Sequence, residues 1–392
     1  MGGPALALFA ALAGSGCSSL SDRDLLHHAG AFSVIPIQLS TVDHEPIRAS
    51  KVTVDPINRA VYVAGDDSSD IALVDGRSAH LVGYASVRPL GERGGPPEGL
   101  IASPGGNEVF VRLPDFDGVP VMVHIGDEPS HVIHGDPVQV SAAAAGELPR
   151  RLMSVSVEAG QLLLADMAPD GATEFQCLKI RNEARMICPE PLGELPVDLV
   201  LDAARERVLV LSAPDAYYSR LHAYDASGEL WSRTFPGGPV QGKLLVDEGD
   251  GSIYVAQQNM GTLIRFGADG QGPTLLPVES GPVDMVQDHD SGLVYVACRD
   301  SHSVVVVDPL AGESYSMPLG ESPVAMAIDD QAGYLFVALR EGRAMAVIDL
   351  YRHELAHVDV TGPQLDVAVD PGVDGGYAYA VVDGEILARM AY

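Results

Sequence analysis

The sequence is short of positive charge, of long apolar runs and of spaced catalytic motifs, and each shortage removes a class of function. Only 24 Lys and Arg stand against 54 Asp and Glu, for a formal net charge of −30. No basic run could neutralise a row of phosphates, which disfavours nucleic acid and anionic membrane surfaces as partners. The longest apolar stretch, at Ala5 to Gly16, is too short to cross a bilayer. No G-x-S-x-G elbow, P-loop or strand-borne G-x-G-x-x-G occurs. What is present is a globular composition, 46% apolar and 20% charged, ample for a packed core. At 392 residues the length suggests two or three domains unless the chain is built of repeats.

It is. Asp202, Asp247, Asp288, Asp329 and Asp370 lie 45, 41, 41 and 41 residues apart. Each closes an apolar strand and opens a polar turn, and a second strand starts seven residues later, as in Tyr254-Val255-Ala256, Tyr295-Val296-Ala297 and Phe336-Val337-Ala338. Asp55 leads likewise to Tyr62-Val63-Ala64, Ser103 to Phe110-Val111, and Ser156, more weakly, to Leu163-Leu164-Ala165. Asp75, Asp308 and Asp349 close third strands twenty residues after their anchors. Short strands rich in Val, Ile, Leu and Tyr, cut by Gly, Pro, Asp and Ser, predict antiparallel sheet. Four of them in a period of about 40 to 50 residues predict a propeller blade.

These units resemble YVTN β-propeller repeats of the lactonase-like and surface-layer type, most clearly from Gly320-Glu321-Ser322-Pro323 to Val347-Ile348-Asp349. The resemblance covers residues 32 to 392 and is faint between about 137 and 195. One tryptophan, Trp231, and the lack of Gly-His and Trp-Asp punctuation disfavour a WD40 propeller. The expected fold is all-β: one propeller of four-stranded antiparallel blades, eight from the anchor count, or seven if the unit at Ser156 is an excursion. After Asp370 only two more strands fit, so Phe32 to Thr41 is expected to close the last blade and remove its exposed edge. Pro36 within that run suits an outer strand.

Residues 1–16 read as a signal peptide and 17–31 as a linker. The stretch Leu12-Ala13-Gly14-Ser15-Gly16-Cys17 resembles a bacterial lipobox, although Gly14 stands where Leu is usual. The resemblance implies lipidation of Cys17; the alternative is plain cleavage without lipid. The expected place is the cell envelope, on the periplasmic side of the outer membrane or at the cell surface. Within a hairpin insert at about 170–192, facing Ile180 with Arg185 sets Cys177 opposite Cys188, close enough for a disulfide. Cys298 reads as a buried thiol.

His353-Glu354-Leu355-Ala356-His357 matches the H-E-x-x-H zinc motif, which needs a helix to bring its two rings onto one face. Here it falls where an outer strand belongs, and four residues of strand span about 13 Å. His131 and His134 fall on opposite faces of a strand, and no metal site is expected from either pair. The turns Gly65–Asp70, Asp247–Gly251 and Asp370–Gly375 could hold Ca²⁺, but such Asp and Gly usually serve backbone geometry. No other cofactor is expected.

Propellers bind on the face where loops joining second and third strands meet the entries to the next blades. That face should carry Asp66, Asp67, Tyr217, Tyr218, Gln257, Gln258, Asn259, Arg299, Asp300, His302, Arg340 and Arg343. Two functions follow. One is a monomeric, non-enzymatic binding or scaffold lipoprotein serving a protein or small-molecule ligand. The other, which the resemblance allows, is a propeller enzyme, lactonase-like or akin to quinone-dependent dehydrogenases, with acids, His or Arg converging at the channel mouth.

Overall fold

A computed structural model describes residues 32–40, 47–86, 96–97, 99–102, 108–112, 120–123, 132–134, 151–156, 161–167, 173–179, 187–237, 242–258, 260–371, 376–382, 384 and 386–392. Strand β1 (Ser33–Gln38) comes first. Blade 1 then holds β2 (Ala49–Asp55), β3 (Ala60–Gly65), β4 (Asp70–Asp75) and β5 (His80–Ser86). Blade 2 holds β6 (Gly99–Ala102), β7 (Glu108–Arg112), β8 (Pro120–Val123) and β9 (Val132–His134). Blade 3 holds β10 (Arg151–Ser156), β11 (Gln161–Met167) and β12 (Thr173–Lys179). Blade 4 is β13 (Leu195–Asp202), β14 (Arg207–Ala213), β15 (Tyr218–Asp225) and β16 (Gly228–Pro236). Blade 5 is β17 (Gly242–Val246), β18 (Ile253–Gln257), β19 (Thr262–Phe266) and β20 (Thr274–Pro277). Blade 6 is β21 (Pro282–Gln287), β22 (Val294–Cys298), β23 (Ser303–Asp308) and β24 (Glu313–Pro318). Blade 7 is β25 (Pro323–Asp329), β26 (Tyr334–Leu339), β27 (Ala344–Asp349) and β28 (Glu354–Asp359). Blade 8 adds β29 (Gln364–Asp370), β30 (Tyr377–Val382) and β31 (Ile386–Ala391).

Among the described residues these strands form eight antiparallel sheets, seven of four strands and one of three. The inner strands neighbour one another in the cyclic order β2, β6, β10, β13, β17, β21, β25, β29 and back to β2. The chain is therefore a closed β-propeller. Second strands lie mid-blade with neighbouring blades on both faces, which is why they read as unbroken apolar runs; β3, β18 and β22 are buried at every position.

The periodic Asp residues have a local cause. The Asp55 carboxylate accepts the N–H groups of Ile57 and Asn58 at 3.0 and 3.1 Å, and Asp329 accepts that of Ala332. At the third-strand ends, Asp308 accepts from Leu310 and Ala311, and Asp349 from Tyr351 and Arg352. A short carboxylate that caps its own turn is what the chain reversal requires. The anchors also tie blades together: Arg59 reaches Asp370 at 2.9 Å, Gln287 donates to Asp247 at 2.7 Å, and Tyr392 donates to Asp329 at 2.7 Å.

The ring closes through its ends. β1 pairs with β31 from Ser33 opposite Ala391 to Gln38 opposite Ile386, so the order in the last blade is β1-β31-β30-β29. Pro36 sits opposite Ala388 on this outer strand. Ile37 and Leu39 are buried against blade 1, and the Phe32 ring meets Tyr334 of blade 7 edge-on at 5.7 Å. Arg389 crosses the same seam, donating to the carbonyls of Gly76 and Arg77 while stacking on Tyr377.

Blade 3 departs from the pattern. The segment expected to be a hairpin insert is instead the blade's third strand, β12, followed by an irregular fourth place at Ile187–Glu194. Leu192 bridges Thr173, and Cys188 is bonded to Cys177, in one antiparallel register. Pro189 and Pro191 cannot donate to a ladder, so the disulfide and that one bridge do what a full strand does elsewhere. The Cα atoms of the pair are 5.7 Å apart, the wide spacing of an antiparallel ladder. Residues 1–31, with the proposed leader, Cys17 and the linker, lie outside the described residues.

Candidate functional site

Inner strands present one unpaired edge to the central channel, and the sequence satisfies it with side chains. Four residues before six of the eight anchors, the wall carries Lys51 in β2, Asp198 in β13, Lys243 in β17, Asp284 in β21, Ala325 in β25 and Asp366 in β29. In each of the three Asp, one carboxylate oxygen accepts the N–H of the next residue, Leu199, Met285 or Val367, at 2.9 to 3.0 Å. The other oxygen crosses the seam to the following blade: Asp198 to Leu244 at 2.8 Å, Asp284 to Met326 at 2.9 Å, and Asp366 to Val52 at 3.1 Å. The latches join blades 4 to 5, 6 to 7 and 8 to 1.

Enclosure by the wall raises the carboxyls of Asp198, Asp284 and Asp366 above the usual carboxylate range, against the pull of their N–H donors and of lysine charge. Burial alone would lower Lys243, but Asp284, Asp198 and Asp366 outweigh it and its pKa is raised. Lys243 is nonetheless exposed to solvent and the Asp residues partly so. Water reaches this level of the channel while protein surrounds it.

The described residues of the loops named from the sequence follow the ends of second strands, on the upper face where the inner strands begin, and they are unequal. Asp66 lies 3.8 Å from Arg48, and Asp67 caps the Arg48 N–H. Arg299 and Asp300 pair with each other at 3.0 Å. His302, Arg340 and Arg343 are exposed, and Arg343 lies 3.7 Å from Asp359. Gln257 is a correction: it is buried at the end of β18, its Nε2 donating to the Pro236 carbonyl and its Oε1 accepting from Thr262. Gln258 is buried too, and Asn259 lies outside the described residues. Tyr217 and Tyr218 project, 77% and 45% exposed, and Met260 on the adjacent blade is 55% exposed. A chain of bonds ties the two loops across the seam: Gly237 N–H to Tyr217 carbonyl, Gln257 to Pro236, and Met260 N–H to Gln257 carbonyl.

His353 and Glu354 to His357 follow the strand reading. His353 sits in the turn after β27 at φ 55°, with Nδ1 2.6 Å from the Tyr315 hydroxyl. His357 lies within β28 and its Nε2 meets the Leu319 carbonyl at 3.1 Å. The two rings serve different partners. Among the described residues no group of three His, Cys, Asp or Glu could hold a metal ion; His131 and the side chain of His134 fall outside them. Of the turns weighed for Ca²⁺, Asp247 and Asp250 spend oxygens on the N–H groups of Gly249, Asp250 and Ser252; residues 372–375 are outside the described set.

No family model matches the chain, and no curated protein matches it in sequence. Solved structures do match in fold. Sqt1 of Saccharomyces cerevisiae superposes with a TM-score of 0.68 at 11% identity, covering 91% of this chain and 99% of that one. Virginiamycin B lyase of Staphylococcus aureus gives 0.52 at 10% identity, covering 92% and 99%. The dihydro-heme d1 dehydrogenase NirN, solved in complex with DHE, gives 0.59 at 15% identity, covering 79% and 66%. At such identities the likeness concerns the propeller fold alone.

Proposed function

We propose that this propeller is a non-enzymatic binding protein of the bacterial cell envelope, exported and lipid-anchored through Cys17, that engages a partner with its upper face. The observation that carries the reading is the projecting set Tyr217, Tyr218 and Met260 on two neighbouring blades. Rigid aromatic side chains and a pliable thioether, standing clear on a loop-rich face, are what a protein contact uses. The N-terminal strand supports the orientation. Ser33 lies at the lower end of blade 8, beside Ala391, so a tether from Cys17 would leave by the lower face. The fourteen residues between Cys17 and Phe32 reach about 50 Å at full extension, which turns the upper face toward partners.

The enzyme reading, lactonase-like or akin to quinone-dependent dehydrogenases, would draw on the channel carboxylates. Each of these already accepts two backbone N–H groups, and they stand two blades apart. That is the work of latches. Incorporating a photo-crosslinking amino acid at Tyr217 or Met260 tests the proposal, with Leu310, 85% exposed on the lower face, as the control. A discrete adduct in intact cells from 217 and 260 and not from 310 is expected. Adducts from all three sites alike, or from 310 only, would contradict it.

A further inference from the structure

Hydrogen-bond accounting at the channel waist leaves one kind of group unspent. The carboxylate acceptors are engaged, each of the three holding two backbone N–H groups of the roughly four it can accept. The donors are not. Lys243 makes no hydrogen bond and no ion pair within 4 Å among the described residues, and the same is true of Lys51. An ammonium group brings three donors and no acceptor. Lys243 belongs to blade 5 and Lys51 to blade 1, on opposite sides of an eight-sheet ring. Both charges therefore stand in an enclosed lumen with donors that no described protein atom fills, open to water and to a bound group that brings acceptor atoms.

We propose that the channel waist is a binding site for a small oxyanion, carboxylate or phosphate, whose oxygens take the donors of Lys243 and, where the ligand is long enough, of Lys51. The Asp residues do not reverse this choice. Their charge keeps Lys243 protonated through neutral pH, while their own lone pairs are directed at Leu244, Met326 and Val52. The site is separate from the upper-face contact made by Tyr217 and Met260 and stands whether or not that contact exists.

Inorganic phosphate and citrate are the probes, and thermal unfolding of the whole protein is the first readout. Saturable stabilisation is expected, with the folding constant raised about elevenfold at ten times the dissociation constant. It should vanish in Lys243→Met and persist when an exposed arginine such as Arg343 is replaced by Met. Should Lys243→Met fold poorly, amine-reactive labelling of the native protein gives a second readout: phosphate should slow modification of Lys243 and leave Lys179, the one lysine of the sequence outside the channel pair, unaffected. Stabilisation that survives Lys243→Met, labelling that phosphate does not slow, or stabilisation by Ca²⁺ in place of the oxyanions would each overturn the proposal. The last would mean that the carboxylates set the ligand class.

Discussion

Replacing Asp284 by Ala removes two hydrogen bonds at once, one inside blade 6 to Met285 at 3.0 Å and one across the seam to Met326 at 2.9 Å. A hydrogen bond to a charged acceptor contributes about 1.5–3 kcal/mol net, so two would give roughly 3–6 kcal/mol. Two effects reduce this. Lumen water can reach part of the freed edge, and the variant no longer holds an enclosed carboxylate whose ionisation burial opposes. We expect a net loss of about 2 kcal/mol, measured by denaturant unfolding followed by tryptophan fluorescence of Trp231. Asp198→Ala should cost a similar amount at its own seam, and the double variant should depart from additivity because both carboxylates act on Lys243. The titration has a definite sign. A folded carboxyl held above its unfolded value contributes stability that is full below the ordinary carboxylate range and is lost as pH rises through the raised value. Wild type should therefore lose stability relative to Asp284→Asn as the pH is raised from about 4 toward neutrality. An Asp284→Ala protein within about 0.5 kcal/mol of wild type would show that the latches hold nothing.

Three further outcomes are expected. Replacing Cys177 and Cys188 together by Ser should cost about 3 kcal/mol on the chain-entropy argument and speed hydrogen exchange at Ile187–Glu194 above all; unchanged exchange there would mean that the Thr173–Leu192 bridge suffices alone. Purified protein should carry no stoichiometric zinc, and His357→Ala should cost about 1 kcal/mol for the lost bond to Leu319; one equivalent of zinc that disappears in the variant would refute the strand reading of the H-E-x-x-H segment. Cys17→Ser should release the protein from the membrane fraction, with loss of acyl mass at the mature N-terminus; a variant that remains membrane-bound would exclude the lipid anchor.

The fold was legible because the turns are. Asp55, Asp288 and Asp329 cap the same chain reversal in blades 1, 6 and 7, so backbone geometry writes a period into the sequence, and Phe32 to Thr41 was recognisable as the missing strand from where the repeats stop. The fourth place of blade 3 was harder, because Pro189 and Pro191 erase strand patterning and leave a disulfide as the trace. The channel was missed, although its signal is periodic. Lys51, Asp198, Lys243, Asp284 and Asp366 are charges set four residues before an anchor in otherwise apolar strands. Reading those positions down the repeat would have placed them on one wall. Which of them face a neighbour's N–H and which face water depends on seams between blades, and no single unit encodes that. Gln257 was misplaced for a related reason: one residue decides whether a polar side chain ends a strand inside the seam or begins the loop above it.

Closure of the ring by the N-terminal strand is the claim on which the eight-sheet arrangement rests, and removing residues 32–40 tests it most directly. The deletion strips the partner of β31, exposing its N–H and C=O groups from Ile386 to Ala391. It also removes Ile37 and Leu39, 4% and 0% exposed, each of which contributes about 1.5–3 kcal/mol by burial, and the Phe32 contact with Tyr334. Compared with a protein lacking only residues 18–31, the shorter chain should unfold at a clearly lower temperature and self-associate through the bare edge. A protein without residues 32–40 that stays monomeric, with an unchanged unfolding midpoint, would contradict closure by this strand.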